Sequence, residues 1–372
     1  MRNLFSFLLL YFSTVASADP SPTSVVFDIS TIGKYPSIRI PALICTAKGT
    51  LVASIEARND HKDQAGNDLL VSTSSDNGKT WTKTEVAYEQ GDDSLNNPCL
   101  VQETKSGTIF LFYQVFPTGT KESGGGLKPG PKGQHRIAYI SSKDEGRTWS
   151  KPVDVTAEIK PAEAITTASG PGCGIQLQNG KYKGRLIIPF NSQGPKGVFI
   201  NWIAYSDDAG KTWKRGHDVP QDKIRLNEVQ VCETSGGGVY LNSRQSVGTG
   251  GRKVAWSTDG GENWTTAIED KNLPEPVCQG SVLTIPGEKI RLVFLNPQGE
   301  PAGKGRKKGV IRLSSDDGKT WEKSRVLVPG PFAYSSMALM KDGRVGVLYE
   351  QANTSAQVFF ISVDIPWIEK GE

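Results

Sequence analysis

Ser74-Ser75-Asp76-Asn77-Gly78-Lys79-Thr80-Trp81 recurs four more times along the 372-residue chain. The other copies are Ser142-Lys143-Asp144-Glu145-Gly146-Arg147-Thr148-Trp149, Ser206-Asp207-Asp208-Ala209-Gly210-Lys211-Thr212-Trp213, Ser257-Thr258-Asp259-Gly260-Gly261-Glu262-Asn263-Trp264 and Ser314-Ser315-Asp316-Asp317-Gly318-Lys319-Thr320-Trp321. The tryptophans of successive copies stand 68, 64, 51 and 57 residues apart, and five of the eight tryptophans belong to this one octapeptide. Its chemistry is that of a rigid hairpin turn. The carboxylate accepts backbone N–H groups across the loop, glycine supplies a positive φ, and tryptophan leaves the turn as a flat anchor between neighbouring units. A calcium loop is rejected, because the twelfth-position glutamate of an EF-hand is missing and the flanks are strand-like.

Those flanks, such as Asn67-Asp68-Leu69-Leu70-Val71-Ser72 and Val198-Phe199-Ile200-Asn201-Trp202-Ile203-Ala204-Tyr205, make each copy the outer hairpin of a sheet. A strand-built repeat of this length implies propeller blades. The 354 residues from Asp19 onward give 59 per blade for six blades. The expected fold is therefore all-β, a six-bladed β-propeller of four-stranded antiparallel blades, formed as a single domain by residues 19–372. Five blades carry the octapeptide. A sixth, about 328–366, has strand sequence without it (Tyr334 to Met340, Val345 to Tyr349, Val358 to Val363). The segment Ser24 to Ser30 is expected beside that blade, closing the ring. Residues 117–134, rich in Gly, Pro and Lys, form a long loop, and helix has almost no support.

Composition agrees with a turn-rich exported β protein: 41 Gly, 22 Pro, and only 37% hydrophobic residues. Residues 1–18 have a basic start at Arg2, an apolar run from Leu4 to Phe12 and a small-residue site at Ala16-Ser17-Ala18. They are expected to be a removed signal peptide, too short to span a bilayer. Without them 42 basic residues face 39 acidic ones. So mild a balance gives no reason to expect nucleic acid as a partner, and no later stretch is long and apolar enough for an integral membrane segment. Cys45, Cys99, Cys173, Cys232 and Cys278 are dispersed without a C-x-x-C pair, so mostly free, buried thiols are expected. His61, His135 and His217 lack metal-ligand spacing and are expected on the solvated surface.

The repeat leaves a set of charged residues unexplained. Arg39 stands in Ser37-Ile38-Arg39-Ile40-Pro41-Ala42-Leu43, and Glu228 in Leu226-Asn227-Glu228-Val229-Gln230-Val231, both otherwise apolar strands. Arg244 ends the run from Val239, while Tyr334 and Glu350 open and close strands of the sixth blade. A charge in such a strand needs a partner, and blade starts converge on the axis of a ring.

Together these residues resemble the exo-α-sialidase family. The resemblance rests on Arg39-Ile40-Pro41, the five octapeptides (Asp boxes), Asn227-Glu228, Asn242-Ser243-Arg244, Tyr334-Ser335 and Val347-Leu348-Tyr349-Glu350. Longer stretches are similar to bacterial and vertebrate cytosolic sialidases: Asn97-Pro98-Cys99, Gly170 to Gln176 and Cys278 to Val282. The resemblance implies that Arg39, Arg244 and Arg306 hold the carboxylate of sialic acid. Arg312, Lys307 and Lys308 compete with Arg306 for that place. It further implies Asp63 as the acid/base, with Asp60 the near competitor, Tyr334 as nucleophile and Glu228 as its base. Glu350 would orient Arg39, and Arg58 and Gln279 would touch substrate.

The chemistry is coherent. Sialic acid carries a carboxylate on its anomeric carbon, which fork-shaped guanidinium groups match and which would repel an Asp or Glu nucleophile. A phenol avoids that clash, and sialidases with a Tyr nucleophile are a recognised exception among glycosidases. Hydrolysis with retention, on sialic-acid-containing glycoconjugates and without metal or organic cofactor, is what the resemblance implies. A monomer is expected. A trans-sialidase and a non-catalytic propeller that binds glycans or proteins are the rivals. Departures are Ile38 before the first arginine, Asn263 in the fourth box (creating the sequon Asn263-Trp264-Thr265, beside a second at Asn353-Thr354-Ser355), and Phe190-Asn191-Ser192 where some relatives have tyrosines.

Overall fold

The computed structural model describes residues 19–122, 127–129, 135–195, 197–246, 250–299 and 302–371. The expected signal peptide lies outside the described residues, as does most of the second half of the 117–134 loop. Six sheets form the propeller. The first blade shows the common plan, with strands Ser37–Cys45, Leu51–Arg58, Asp68–Ser74 and Glu85–Tyr88 following one another outward. The first strands of the blades contact one another around the axis.

Each octapeptide joins the third strand of its blade to the fourth, as Ser74–Trp81 does between Asp68–Ser74 and Glu85–Tyr88. Inside the turn, Ser74 Oγ donates to Asp76 (2.8 Å) and accepts from the Gly78 amide (2.9 Å). Asp76 in turn accepts from the Thr80 amide (2.9 Å) and hydroxyl (2.6 Å). These bonds, the Thr80 hydroxyl foremost, pull the Asp76 carboxyl down to about 2. In the fourth box Asn263 Nδ2 donates to Asp259 at 2.8 Å, so the amide replaces the usual hydroxyl without losing the bond.

Box residues also weld the blades. Gly78 has φ +80, and a Cβ there would stand 2.1 Å from Phe360 of the sixth blade; at Gly210 (φ +83) the clash would be with Phe110 of the second, at 2.2 Å. Glycine is thus required twice over, by backbone conformation and by close approach. Trp81 meets the same Phe360 edge-on at 5.4 Å, and Trp213 meets Phe112 at 4.7 Å. Each box therefore leans on the blade before it. The apolar core is correspondingly divided into wedges between adjacent blades, such as Leu51, Ala53 and Leu70 with Leu348 and Phe360.

The sixth blade consists of Ser335–Leu339, Val345–Glu350 and Gln357–Val363, with the N-terminal strand Ser24–Asp28 as its outer member. Its third and fourth strands come from opposite ends of the chain. There is no hairpin turn to rigidify, which explains the missing sixth box. Among the described residues three short α-helices, Ile29–Ile32, Thr156–Ile159 and Ile365–Lys370, lie outside the blade plan.

Two expectations on isolated residues meet different outcomes. All five cysteines are free, four buried and Cys45 partly so. His135, expected on the surface, is instead fully buried against the Phe116 ring, where burial first and Lys160 second push it down to about 3 and keep it neutral.

Candidate active site

The starts of the inner strands converge at one mouth of the ring. There Arg39, Asn96, Asn97, Asn227 and Glu228 meet Tyr334, which immediately precedes Ser335–Leu339, around a cavity of about 270 Å³. Several of these strands are irregular at that end. Register breaks between Arg39 and Ala42 and between Asn96 and Cys99, and Ile40 and Asn97 adopt φ +66 and +55. Left-handed backbone at a non-glycine residue costs about 1–3 kcal/mol and persists only where its surroundings enforce it. Here buried carboxylates do so: Glu350 accepts from the Ile40 amide (2.5 Å) and Glu56 from the Asn97 amide (2.6 Å).

At the floor, the Tyr334 hydroxyl donates to Glu228, with its two carboxylate oxygens at 2.6 and 2.8 Å. Arg244 Nη1 reaches Glu228 at 2.7 Å and the Tyr334 oxygen at 2.9 Å. The Arg39 and Arg306 guanidinium groups stand 5.2 and 5.4 Å from the centre of the tyrosine ring. One phenol is therefore surrounded by three guanidinium groups and bonded to one carboxylate. Burial, and then the Glu228 charge, hold the phenol well above its ordinary value, against the pull of Arg244 and Arg306. The resting group is neutral and has a proton acceptor already in hydrogen-bond contact.

The opposite mouth of the channel holds another cavity, of about 340 Å³, walled by apolar residues such as Leu43, Val282 and Leu339. Its Glu233 already accepts from the amides of Gln178 and Asn179. The arginines, the tyrosine and the carboxyls at Asp63, Glu122 and Glu228 gather at the first mouth.

Residues 49–347 match the BNR repeat-like domain family. A sialidase of Micromonospora viridifaciens is 34% identical over 94% of this chain and 58% of its own length. The chain belongs to the sialidase family. A Bacteroides fragilis (strain YCH46) sialidase is 30% identical over 85% of this chain and 60% of its own. The chain thus spans less than two thirds of these two relatives. The solved Hadza microbial sialidase Hz136 superposes with a TM-score of 0.80 at 28% identity, over 90% of this chain and 67% of that one.

Within the sialidase frame, Arg39, Arg58, Asp63, Glu228, Arg244, Arg306 and Tyr334 all line the one cavity. Glu350 stands behind Arg39, accepting from its Nε at 2.9 Å. The competitors lie elsewhere: Arg312 is buried in its own blade on Asn296 and Gln298, and Asp60 is turned to Lys62. Asp63 is not enclosed, however. Its side chain is 73% exposed at the rim, and Arg58 Nη1 donates to it at 2.8 Å. Gln279 requires correction. It is 1% exposed, is not among the cavity-lining residues, and its amide bonds Ser335 at both N and O and also Pro171 O. Strand geometry takes up both ends of its amide, so it braces the residue after Tyr334 rather than touching the cavity.

Glu56, Glu122 and Asn96 escaped sequence reasoning, and Asn191 entered it only as part of the departure at Phe190-Asn191-Ser192. Glu56 accepts from Arg58 Nη2 at 2.8 Å, and burial lifts it to about 7 despite that arginine. It sits in the apolar strand Leu51–Arg58 and carries the same signal that revealed Arg39 and Glu228. Glu122, from the long loop, borders the cavity and is raised to about 7 by burial, then by Glu228 and Asp63. Asn96 and Asn191 also line it. Asn96 Oδ1 and Asn191 Nδ2 are buried without a hydrogen-bond partner among the described residues.

Proposed function

We propose that the protein is an exo-α-sialidase that hydrolyses terminal α-linked sialic acid from glycoconjugates with retention of anomeric configuration. The Tyr334 hydroxyl bonded to Glu228 within three guanidinium groups carries this reading. Arg39, Arg244 and Arg306 hold the sugar carboxylate and so orient the anomeric carbon over the phenol. Tyr334 oxygen attacks that carbon while its proton passes to Glu228. Asp63 protonates the departing glycosidic oxygen, and the bond to the aglycone breaks. Asp63 then takes a proton from water as the water oxygen displaces the phenol, which recovers its proton from Glu228. A carboxylate nucleophile would meet the substrate's own negative charge; a neutral phenol does not.

Turnover of a fluorogenic α-sialoside tests the proposal. Wild type is expected to release the α anomer of free sialic acid first, and Tyr334→Phe to lose about a thousand-fold or more in kcat. No turnover by pure wild type at any pH from acid to neutral sinks it. Transfer of the sugar to added galactoside in place of water points to the trans-sialidase rival. Export by way of residues 1–18 belongs to the same proposal, supported by their basic-apolar-small pattern. Mature protein beginning at Asp19 is the expected outcome of N-terminal sequencing.

A further inference from the structure

Three buried carboxylates repeat one arrangement: an arginine on one side and the amide of a bent backbone segment on the other. Glu350 holds Arg39 and the Ile40 amide; Glu56 holds Arg58 and the Asn97 amide. The third is Glu275, and neither it nor its arginine borders the cavity. Glu275 and Arg252 are both fully buried, with Arg252 Nη1 3.1 Å from Glu275 Oε2. Oε1 of Glu275 accepts from the Cys278 amide at 3.1 Å, one residue after Val277, which has φ +52.

What this pair grips is informative. Glu275 Oε2 also accepts at 3.0 Å from the amide of Gln245, the residue next to Arg244. Arg252 Nη1 donates to Cys278 O at 2.7 Å and its Nε to Asn242 Oδ1 at 2.6 Å. The strap 275–279 is thereby fixed between the fourth and fifth blades. On the far side of the same strap, Val277 O accepts from Arg306 Nη2 at 3.0 Å. Among the described residues, Arg306 pairs with no carboxylate of its own, unlike Arg39 and Arg244. Further along, Gln279 ties the strap to Ser335, the neighbour of Tyr334.

We infer that the Glu275–Arg252 pair is a positioning device that sets the separation of Arg244 and Arg306, and with it the grip on the substrate carboxylate. This rests on the proposed sialidase function. The triad holds the carboxylate in ground state and transition state alike, so loosening it affects KM and inhibitor binding more than kcat. Removing one partner alone leaves a buried charge unpaired, so Glu275→Gln is matched with the double variant Arg252→Met/Glu275→Gln, which leaves none.

The test compares binding of free sialic acid with that of its methyl ester, by calorimetry and as competitive inhibitors, alongside kcat, KM and the folded fraction from near-UV circular dichroism. Wild type is expected to prefer the acid. In the folded double variant, KM and the sialic acid Ki should rise about tenfold together, kcat should stay within about threefold, and the preference over the ester should shrink. A simple loss of folded protein would lower apparent activity without changing that preference. Wild-type Ki and preference in a folded double variant overturn the inference, as does a fall in kcat at unchanged KM. A wild type that binds acid over ester yet turns nothing over, with preference lost in the variant, sustains the positioning role while the enzyme reading fails. A wild type that does not discriminate acid from ester overturns both.

Discussion

Glu122 adds a carboxyl to a cavity that already holds Glu228 and Asp63, and its value of about 7 follows from burial first and from those neighbours second. Below that value it is neutral, and an anionic sugar meets one negative charge fewer. Affinity for sialic acid should therefore tighten several-fold as pH falls through about 7, and Glu122→Gln should flatten much of that slope; calorimetry across the range checks it. Asn191 offers a different lever: the residue lines the cavity, and its amide nitrogen is buried without a partner among the described residues. A ligand oxygen that takes this bond recovers about 1–2 kcal/mol, so Asn191→Ala should raise KM roughly tenfold. Legibility at this scale depended on contrast. Arg39 and Glu228 stood out as charges in apolar strands; Glu56 carries the same signal in Leu51–Arg58 but was not singled out. Glu122 lies in a polar loop where another carboxylate carries no signal. Gln279 looked like a contact because its sequence neighbourhood matched, but only the packing of the fifth blade on the sixth decides which way an amide points.

The octapeptide is the element in which sequence and structure agree most closely, because its bonds are all local. Ser, Asp, Gly and Thr within seven positions satisfy one another, so spacing alone announces the turn. The load each box bears toward its neighbour was visible only as a surplus of tryptophan. Gly78→Ala should show that load. It combines a left-handed φ with a contact 2.1 Å from Phe360, and should cost about 2–4 kcal/mol in denaturant unfolding. Gly91, at φ +57 with open space around it, is the control, and its alanine variant should cost only about 1–2 kcal/mol. Asn263→Thr should change stability by less than about 0.5 kcal/mol, since either side chain completes the bond to Asp259. The strap 275–279 is the converse case. Apart from the bond between Glu275 and the Cys278 amide, its contacts are to residues distant in the chain, and nothing in Glu275-Pro276-Val277-Cys278-Gln279 reveals which arginines it will meet.

Across the whole molecule two sets of carboxyls bound the pH range of stability from opposite sides. Asp76, Asp144 and Asp208 are held down near about 2, Asp76 by its bonds to Thr80 and the other two by box bonds that outweigh burial. Their contribution is present above the ordinary carboxyl value and is lost as pH falls toward about 2. Glu56 and Glu122 are raised to about 7, chiefly by burial, so their contribution is present below the ordinary value and is lost as pH rises through about 7. Thermal unfolding should therefore peak in mildly acid buffer; a midpoint still climbing above neutrality would contradict this. The fold's closure has a further consequence. Asp28 and its partner Gln357 are 329 positions apart, so the propeller strand that is synthesised before all the others is the last to find its place. Until the strand Gln357–Val363 emerges, five blades must wait as an open arc with a bare edge. A nascent chain stalled before residue 357 should accordingly be far more sensitive to protease than the completed one.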